Sequence, residues 1–330
     1  MIRINIGICT IVGTLLLSTL NLHAQTKKEA VDAYNQGVMT MNTNTDSAII
    51  YFERSVEISG KVGDEASDIY IPATKVLPRL YYKKVISLAK EKKIPEAIAA
   101  SKEAIKAADK YKNDSIKIET LKIESQIYFS MGNSYFTKND NENALKAYDS
   151  ALLINPNYTK ALFNKAQVYR KMDKSDKYKE SIDDLIVKAG SDTVQIAAYK
   201  KNAHDYYRVT GTKANTANKL ADAIENLNNA QKYGIDKDVY YQFANIYNKQ
   251  KKWDEALTNA QKGLELETGT NEAKAKYHYE IAVAQAGKGD KDAACSSFKN
   301  ALYGIFATPS KAQMQNMKCP GATPAAAAAK

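Results

Sequence analysis

Histidine and cysteine are the residues through which this sequence could most readily do chemistry, and both are scarce. Beyond the first 24 residues only His204, His278, Cys295 and Cys319 remain, with Cys9 and His23 ahead of them. A catalytic centre needs acids, bases or nucleophiles that converge, and a zinc site needs several His or Cys at ligand spacing. Neither histidine has such a neighbour in sequence. A phosphate-cradling glycine loop, a nucleophile elbow and a dinucleotide fingerprint are all missing. Asn42, Asn44, Asp46 and Glu53 do share the oxygen spacing of a calcium loop. Ser47 stands where that loop needs glycine, however, and Asp46 and Glu53 are its only acids. This run and Asn139–Asn143 read instead as turns in which Asn or Asp caps the next helix. The residue types therefore point to no enzyme, no metal and no cofactor.

Composition favours helices. Gly and Pro number 15 and 7 in 330 residues, while Ala, Lys, Leu, Asn and Tyr are plentiful. Apolar residues at 44% and charged residues at 25% suit a folded chain rather than a disordered one. The formal charge of +10 favours anionic partners without choosing among them. Arg3 precedes an apolar run from Ile4 to Leu22, and the chain turns polar after Ala24. This reads as a secretory signal peptide over 1–24, giving an exported, periplasmic or secreted protein. Leu22 is large for its place before the cut, so an uncleaved N-terminal anchor is the alternative. Bulky Ile8 before Cys9, with most of the apolar run after it, argues against lipidation there.

Repetition organises the rest. Between Ser125 and Pro156, Tyr128, Met131, Gly132 and Tyr135 fall on a first helix, and Ala144, Tyr148 and Ala151 on a second. Small Gly132 and Ala144 allow two antiparallel helices to touch, and the tyrosines fill the space between successive pairs. The same step of small residues recurs from Ala244 to Ala256 and from Ala282 to Ala294, and Ala166 leads similarly to Tyr178. This pattern resembles the tetratricopeptide repeat. The resemblance covers roughly 28–304 and implies an all-α, right-handed superhelical solenoid of about seven antiparallel helix pairs. They are expected near 28–59, 64–111, 115–156, 157–190, 193–234, 237–268 and 271–304. A cap helix and a frayed tail should occupy 305–330. Two departures are expected. Pro72 and Pro78 should bend or break any helix in the connector Asp64–Pro78. Taking Ala203 as the small residue of pair five leaves about eight residues, Thr210–Asn218, as a polar surface loop containing Gly211.

In this family the first helices line the concave face. Carrying over the family's groove positions from pairs four to six gives Lys160, Phe163, Gln167, Arg170 and Lys171. Ala197, Lys200, His204, Tyr207 and Arg208 follow, and then Asp238, Tyr241, Asn245, Asn248 and Lys249. Lys and Arg are enriched there, and only Asp238 is acidic. Phe129, Asn133 and Asn164 extend the set. Asn133 and Asn164 match two positions of the family's carboxylate clamp, but Phe129 and Ala197 replace its lysines and Lys201 its arginine, so the clamp is incomplete. The resemblance implies a non-catalytic scaffold or adaptor that binds a protein or peptide, an acidic segment above all, in a basic groove containing Phe and Tyr. The alternatives are a basic surface that is a by-product of a Lys-rich chain, or a structural part of an envelope or secretion complex with peripheral membrane association. Nucleic acid is not expected as a partner, because no basic and aromatic binding motif appears. His278 occupies the place of Tyr128 and is expected to pack rather than react. Cys295 and Cys319 would form a disulfide that staples the cap helix over Lys311–Met317, or else remain free thiols.

Overall fold

The computed structural model describes residues 26–321, and the signal-peptide reading lies outside them. All regular structure among these residues is helical. The chain falls into two compact units, 1–181 and 182–330.

In the first unit, α1 spans 26–40, followed by α2 (Thr45–Val62), a 3₁₀ turn at Asp64–Ala66, α3 (Ser67–Lys90) and α4 (Ile94–Lys110). Next come α5 (Asp114–Thr137), α6 (Asn141–Ile154) and α7 (Thr159–Lys171). Helix α8 (Ser175–Lys188) carries the unit boundary. The second unit continues with α9 (Thr193–Thr216), α10 (Leu220–Tyr233), α11 (Lys237–Lys249) and α12 (Trp253–Glu265). It ends with α13 (Asn271–Gly287), α14 (Lys291–Asn300) and α15 (Ala307–Asn316). Helices α3 and α4, α5 and α6, α9 and α10, α11 and α12, and α13 and α14 pack as pairs, and successive pairs pack on one another through α2–α3, α4–α5 and α6–α7 in the first unit and through α10–α11 and α12–α13 in the second.

One close contact defines the pair. A Cβ on Gly132 would lie 2.5 Å from the ring of Tyr148, so only glycine lets α5 and α6 approach this far. Turns repeat with equal regularity. Lys92, Asn139, Asp173, Asn218 and Lys251 adopt left-handed backbone at the turn inside their pairs, each seven residues after Val85, Gly132, Ala166, Gly211 and Ala244. Caps close the next helix at several of these turns and at others. Asn44 accepts from the backbone N–H of Ser47, and Asp140 does the same from Asn143.

Two expectations are corrected. Pro72 and Pro78 interrupt nothing, because both lie within the continuous helix α3. Each removes a donor worth about 3 kcal/mol in a helix interior. Ala73, Leu77 and Leu80 are buried against Ala48, Phe52 and Val56 of α2, and Val85 against Ala97 and Ala104 of α4. At roughly 1.5–3 kcal/mol for each large buried side chain, that packing offsets the prolines. Nor is Thr210–Asn218 a loop, since α9 runs through to Thr216. Gly211 is buried, and a Cβ there would sit 2.7 Å from Leu227 and 3.2 Å from the Ala223 carbonyl oxygen. Pair five therefore makes its contact from Gly211 to Ala223, the ordinary step, and extends α9 at its N-terminal end.

Cys295 and Cys319 are joined by a disulfide, with Cα atoms 5.6 Å apart. It fastens the segment after α15 to α14, and Met314, Met317 and Cys319 cover Phe298, Ala294 and Ala282 of the last pair. A terminal pair has no following neighbour, and this layer takes its place.

Candidate functional site

The first helices carry the candidate residues, and each unit is described separately. In the first unit, Phe129 on α5 packs against Tyr158 and Tyr148 at ring-centroid distances of 5.1 and 6.0 Å. Asn133 is engaged internally, because its Oδ1 accepts from Tyr148 Oη and from Asn164 Nδ2, both at 2.7 Å. The two asparagines that match clamp positions thus hold each other across α5 and α7. On α7, Lys160 and Arg170 are exposed, and Phe163 and Gln167 are half-buried. Lys171 donates to Asn139 Oδ1 and lies 5.0 Å over the Phe136 ring, which ties it to the turn of the preceding pair.

In the second unit the expected set divides. Lys200 is exposed on α9. Tyr207 is fully buried and stacks on Tyr233 at 6.1 Å, so it is a core residue and not a groove contact. His204 is also buried, with Nε2 3.8 Å from Asp236 and Nδ1 3.6 Å from Asp205. Both corrections have one cause. Once Gly211 is the contact residue, Tyr207 takes the place that Tyr128 holds in pair three, and the groove positions of pair five move eight residues on, to Asp205, Arg208, Thr212, Asn215 and Thr216. Arg208 stays on this face, with Nε 3.3 Å from Asp236 Oδ2.

That shift brings a polar network into view. Asn215, 4% exposed, donates from Nδ2 to Gln242 Oε1 at 2.7 Å and to Asn245 Oδ1 at 3.1 Å. Lys249 donates to its Oδ1 at 2.7 Å and to its carbonyl oxygen at 3.2 Å. From α11, Asn245 Nδ2 donates to Glu280 Oε1 at 2.9 Å and Asn248 Nδ2 to Glu280 Oε2 at 2.7 Å. Glu280 on α13 is 2% exposed, and burial pushes its carboxyl above the usual carboxylate range against the pull of those amides and of Lys249. Tyr241 closes one side, edge-on to Tyr277 at 6.1 Å and to Phe306 at 6.5 Å, and its hydroxyl is raised by burial and then by Glu280. Lys276 lies over the Tyr241 ring at 5.4 Å and pairs with Asp238. Expected residues Tyr241, Asn245 and Lys249 thus sit together, while Asn215 and Glu280 were missed. The signal for Asn215 was present in sequence as the step from Gly211 to Ala223. His278 is half-buried on α13, its imidazole pKa lowered by burial and then by Lys274.

The network holds three first helices in one register and presents amides, an ammonium and aromatic edges. Among the described residues no group of His, Cys, Asp and Glu is placed to hold a metal ion, and no helix is long and apolar enough to cross a membrane.

The family profile described as "TPR repeat" matches residues 132–173, the stretch from Gly132 through the α7–α8 turn. The protein STIP1 homolog of Dictyostelium discoideum is 28% identical over 139 residues, covering 42% of this chain and 20% of that protein. The chain thus spans about a fifth of the length of this relative. Among solved structures, the MamA protein matches at 22% identity over 58% of this chain and 94% of its own, with a TM-score of 0.33. A tetratricopeptide repeat protein from Parabacteroides merdae ATCC 43184 matches at 14% identity over 89% of this chain and 99% of its own, with a TM-score of 0.28. That profile match identifies a tetratricopeptide repeat at residues 132–173, and the contact and turn of pair three recur in helix pairs of both units.

Proposed function

We propose that this protein is a non-catalytic scaffold or adaptor of the cell envelope that binds a segment of another protein on the face of its first helices. Tetratricopeptide repeats are protein-interaction modules. The observation that carries the reading here is the Asn215–Asn245–Glu280 network, which locks α9, α11 and α13 into one continuous surface instead of closing them around a reactive group. A preorganised surface binds with less loss of side-chain freedom. Exposed Lys160 and Arg170 favour an acidic segment, and half-buried Phe163 and Tyr241 offer apolar contact. Export is supported by the apolar run from Ile4 to Leu22 and by the Cys295–Cys319 bond, which an oxidising compartment maintains.

The test is affinity capture from cell envelope with the natively exported chain, followed by titration of the recovered partner at several salt concentrations. Lys160→Glu with Arg170→Glu should slow association and flatten its salt dependence while the helical signal stays unchanged. Binding and salt dependence equal to the parent protein would remove the charged face from the reading. Fixed stoichiometric recovery with a membrane complex would favour the structural-component alternative.

A further inference from the structure

Four of the large apolar side chains exposed in the first unit stand at one edge, away from the groove positions. Helices α3 and α5 begin 18 residues before their contact residues Val85 and Gly132, whereas α7 begins seven before Ala166. The extra eleven residues carry each long helix about 16 Å further at its N-terminal end. Ile71 and Ile118 hold equivalent places on these extensions, each 14 residues before its contact residue, and both are exposed. Lys75 and Lys122 follow one helical turn later, again at equivalent places, exposed and in no ion pair among the described residues. Tyr70 lies beside Ile71, and Leu153, 85% exposed, stands near the end of antiparallel α6 at the same edge.

The chain enters the fold here. Lys27, in the first turn of α1, donates to the Glu65 carbonyl oxygen at 2.6 Å and pairs with Asp68 at 3.2 Å, which ties the start of α1 to the start of α3. Ahead of it in sequence stands the apolar run Ile4–Leu22, and the four residues from Leu22 to Thr26 reach at most about 14 Å. A run that engages a bilayer during export therefore brings this edge of the fold to the lipid surface first. We propose that the edge stays there, resting on the membrane with Ile71, Ile118 and Leu153 in the interfacial layer, Tyr70 at headgroup depth and Lys75 and Lys122 on lipid phosphates. Side chains that stand singly on helix ends suit a fluid interface, which needs no complementary shape, better than a second protein, which does. Three aliphatic side chains bind weakly, so the contact orients the first unit on the membrane and leaves the groove positions uncovered. The inference rests on the envelope reading and does not depend on what the groove holds.

The test uses the exported chain, its N-terminus read by mass spectrometry, with an NBD fluorophore on Ile118→Cys or, at the other end of α5, on Lys138→Cys. On vesicles of phosphatidylethanolamine and phosphatidylglycerol, emission from the label at 118 should rise at least twofold and be quenched by nitroxide-labelled lipid, while emission from the label at 138 stays flat. Ile71→Asp/Leu153→Asp should cut the response at 118 at least threefold without changing the helical signal. Because the label reports the edge, the expectation is the same for a chain that begins at Met1 or at Gln25. A silent label at 118, or equal responses at both positions, would overturn the inference, and with capture of the envelope partner intact it would leave the scaffold reading standing. A rise at 118 without lipid that grows with protein concentration would assign the edge to a second copy of the chain and overturn it as well. Recovery of the chain from the cytosol alone would overturn the envelope reading and this inference with it.

Discussion

Burial governs the proton on Glu280. The unfolded chain would hold this carboxyl at an ordinary value, whereas in the fold desolvation raises it. Between those two values the native state keeps a proton that the unfolded state releases, so stability falls as pH rises through that window. Glu280→Gln removes the titration while keeping an acceptor for Asn245 or Asn248, and Asn248 Oδ1, which lacks a hydrogen-bond partner among the described residues, could accept from the new amide. We expect the substitution to flatten the pH dependence of thermal melts between pH 4.5 and 8 and to raise the midpoint at pH 8 by about 2–4 °C, the effect of roughly 1 kcal/mol. A midpoint lowered at every pH would show that the ionised carboxylate is needed. Gly211 offers a second residue-scale check. Its missing Cβ accommodates Leu227 and the Ala223 backbone, so Gly211→Ala should destabilise by roughly 1–3 kcal/mol in urea melts. A glycine in a surface loop would tolerate the same change.

At the scale of elements, the pairs around Gly132, Ala244 and Ala282 were legible because each sets a small residue twelve positions before another. Pair five was misread because Ala203 and Gly211 are both small and both buried, and sequence polarity from Thr210 to Asn218 resembles a loop. Helix α9 instead carries that polarity on one side and buries Gly211 and Asn215 on the other. The misreading displaced the groove by eight residues, which put buried His204 and Tyr207 in it and left Asn215 out. Glu280 was illegible for a different reason: nothing in a sequence window distinguishes a solvated glutamate from one that two asparagines and a lysine have enclosed. Helix α3 was hidden by its prolines, whose local penalty loses to tertiary burial. Half-buried Pro72 contributes little packing of its own. Pro72→Ala should therefore stabilise α3 by roughly 1–3 kcal/mol, read as increased resistance to urea. A loss of stability would mean that the ring is part of the packing.

At the scale of the whole molecule, stability in a repeat array is a sum of pairs and their interfaces, and the ends are its weak points. The disulfide closes a loop across a sequence separation of 24, which by chain entropy contributes about 3 kcal/mol. Cys295→Ser with Cys319→Ser should release α15 and lower the stability of the last pair by roughly 2–4 kcal/mol, and hydrogen exchange should rise at α13–α15 while α1–α6 remain as protected as before. Uniform loss across the chain would mean that the array unfolds as one cooperative body. The account's central claim is that partners are held by first helices. Hydrogen exchange with mass spectrometry on the chain bound to its captured partner tests this most directly. The account predicts added protection on α5, α7, α9 and α11, with α6, α10 and α12 unchanged. Protection confined to α6, α10 and α12 would contradict it.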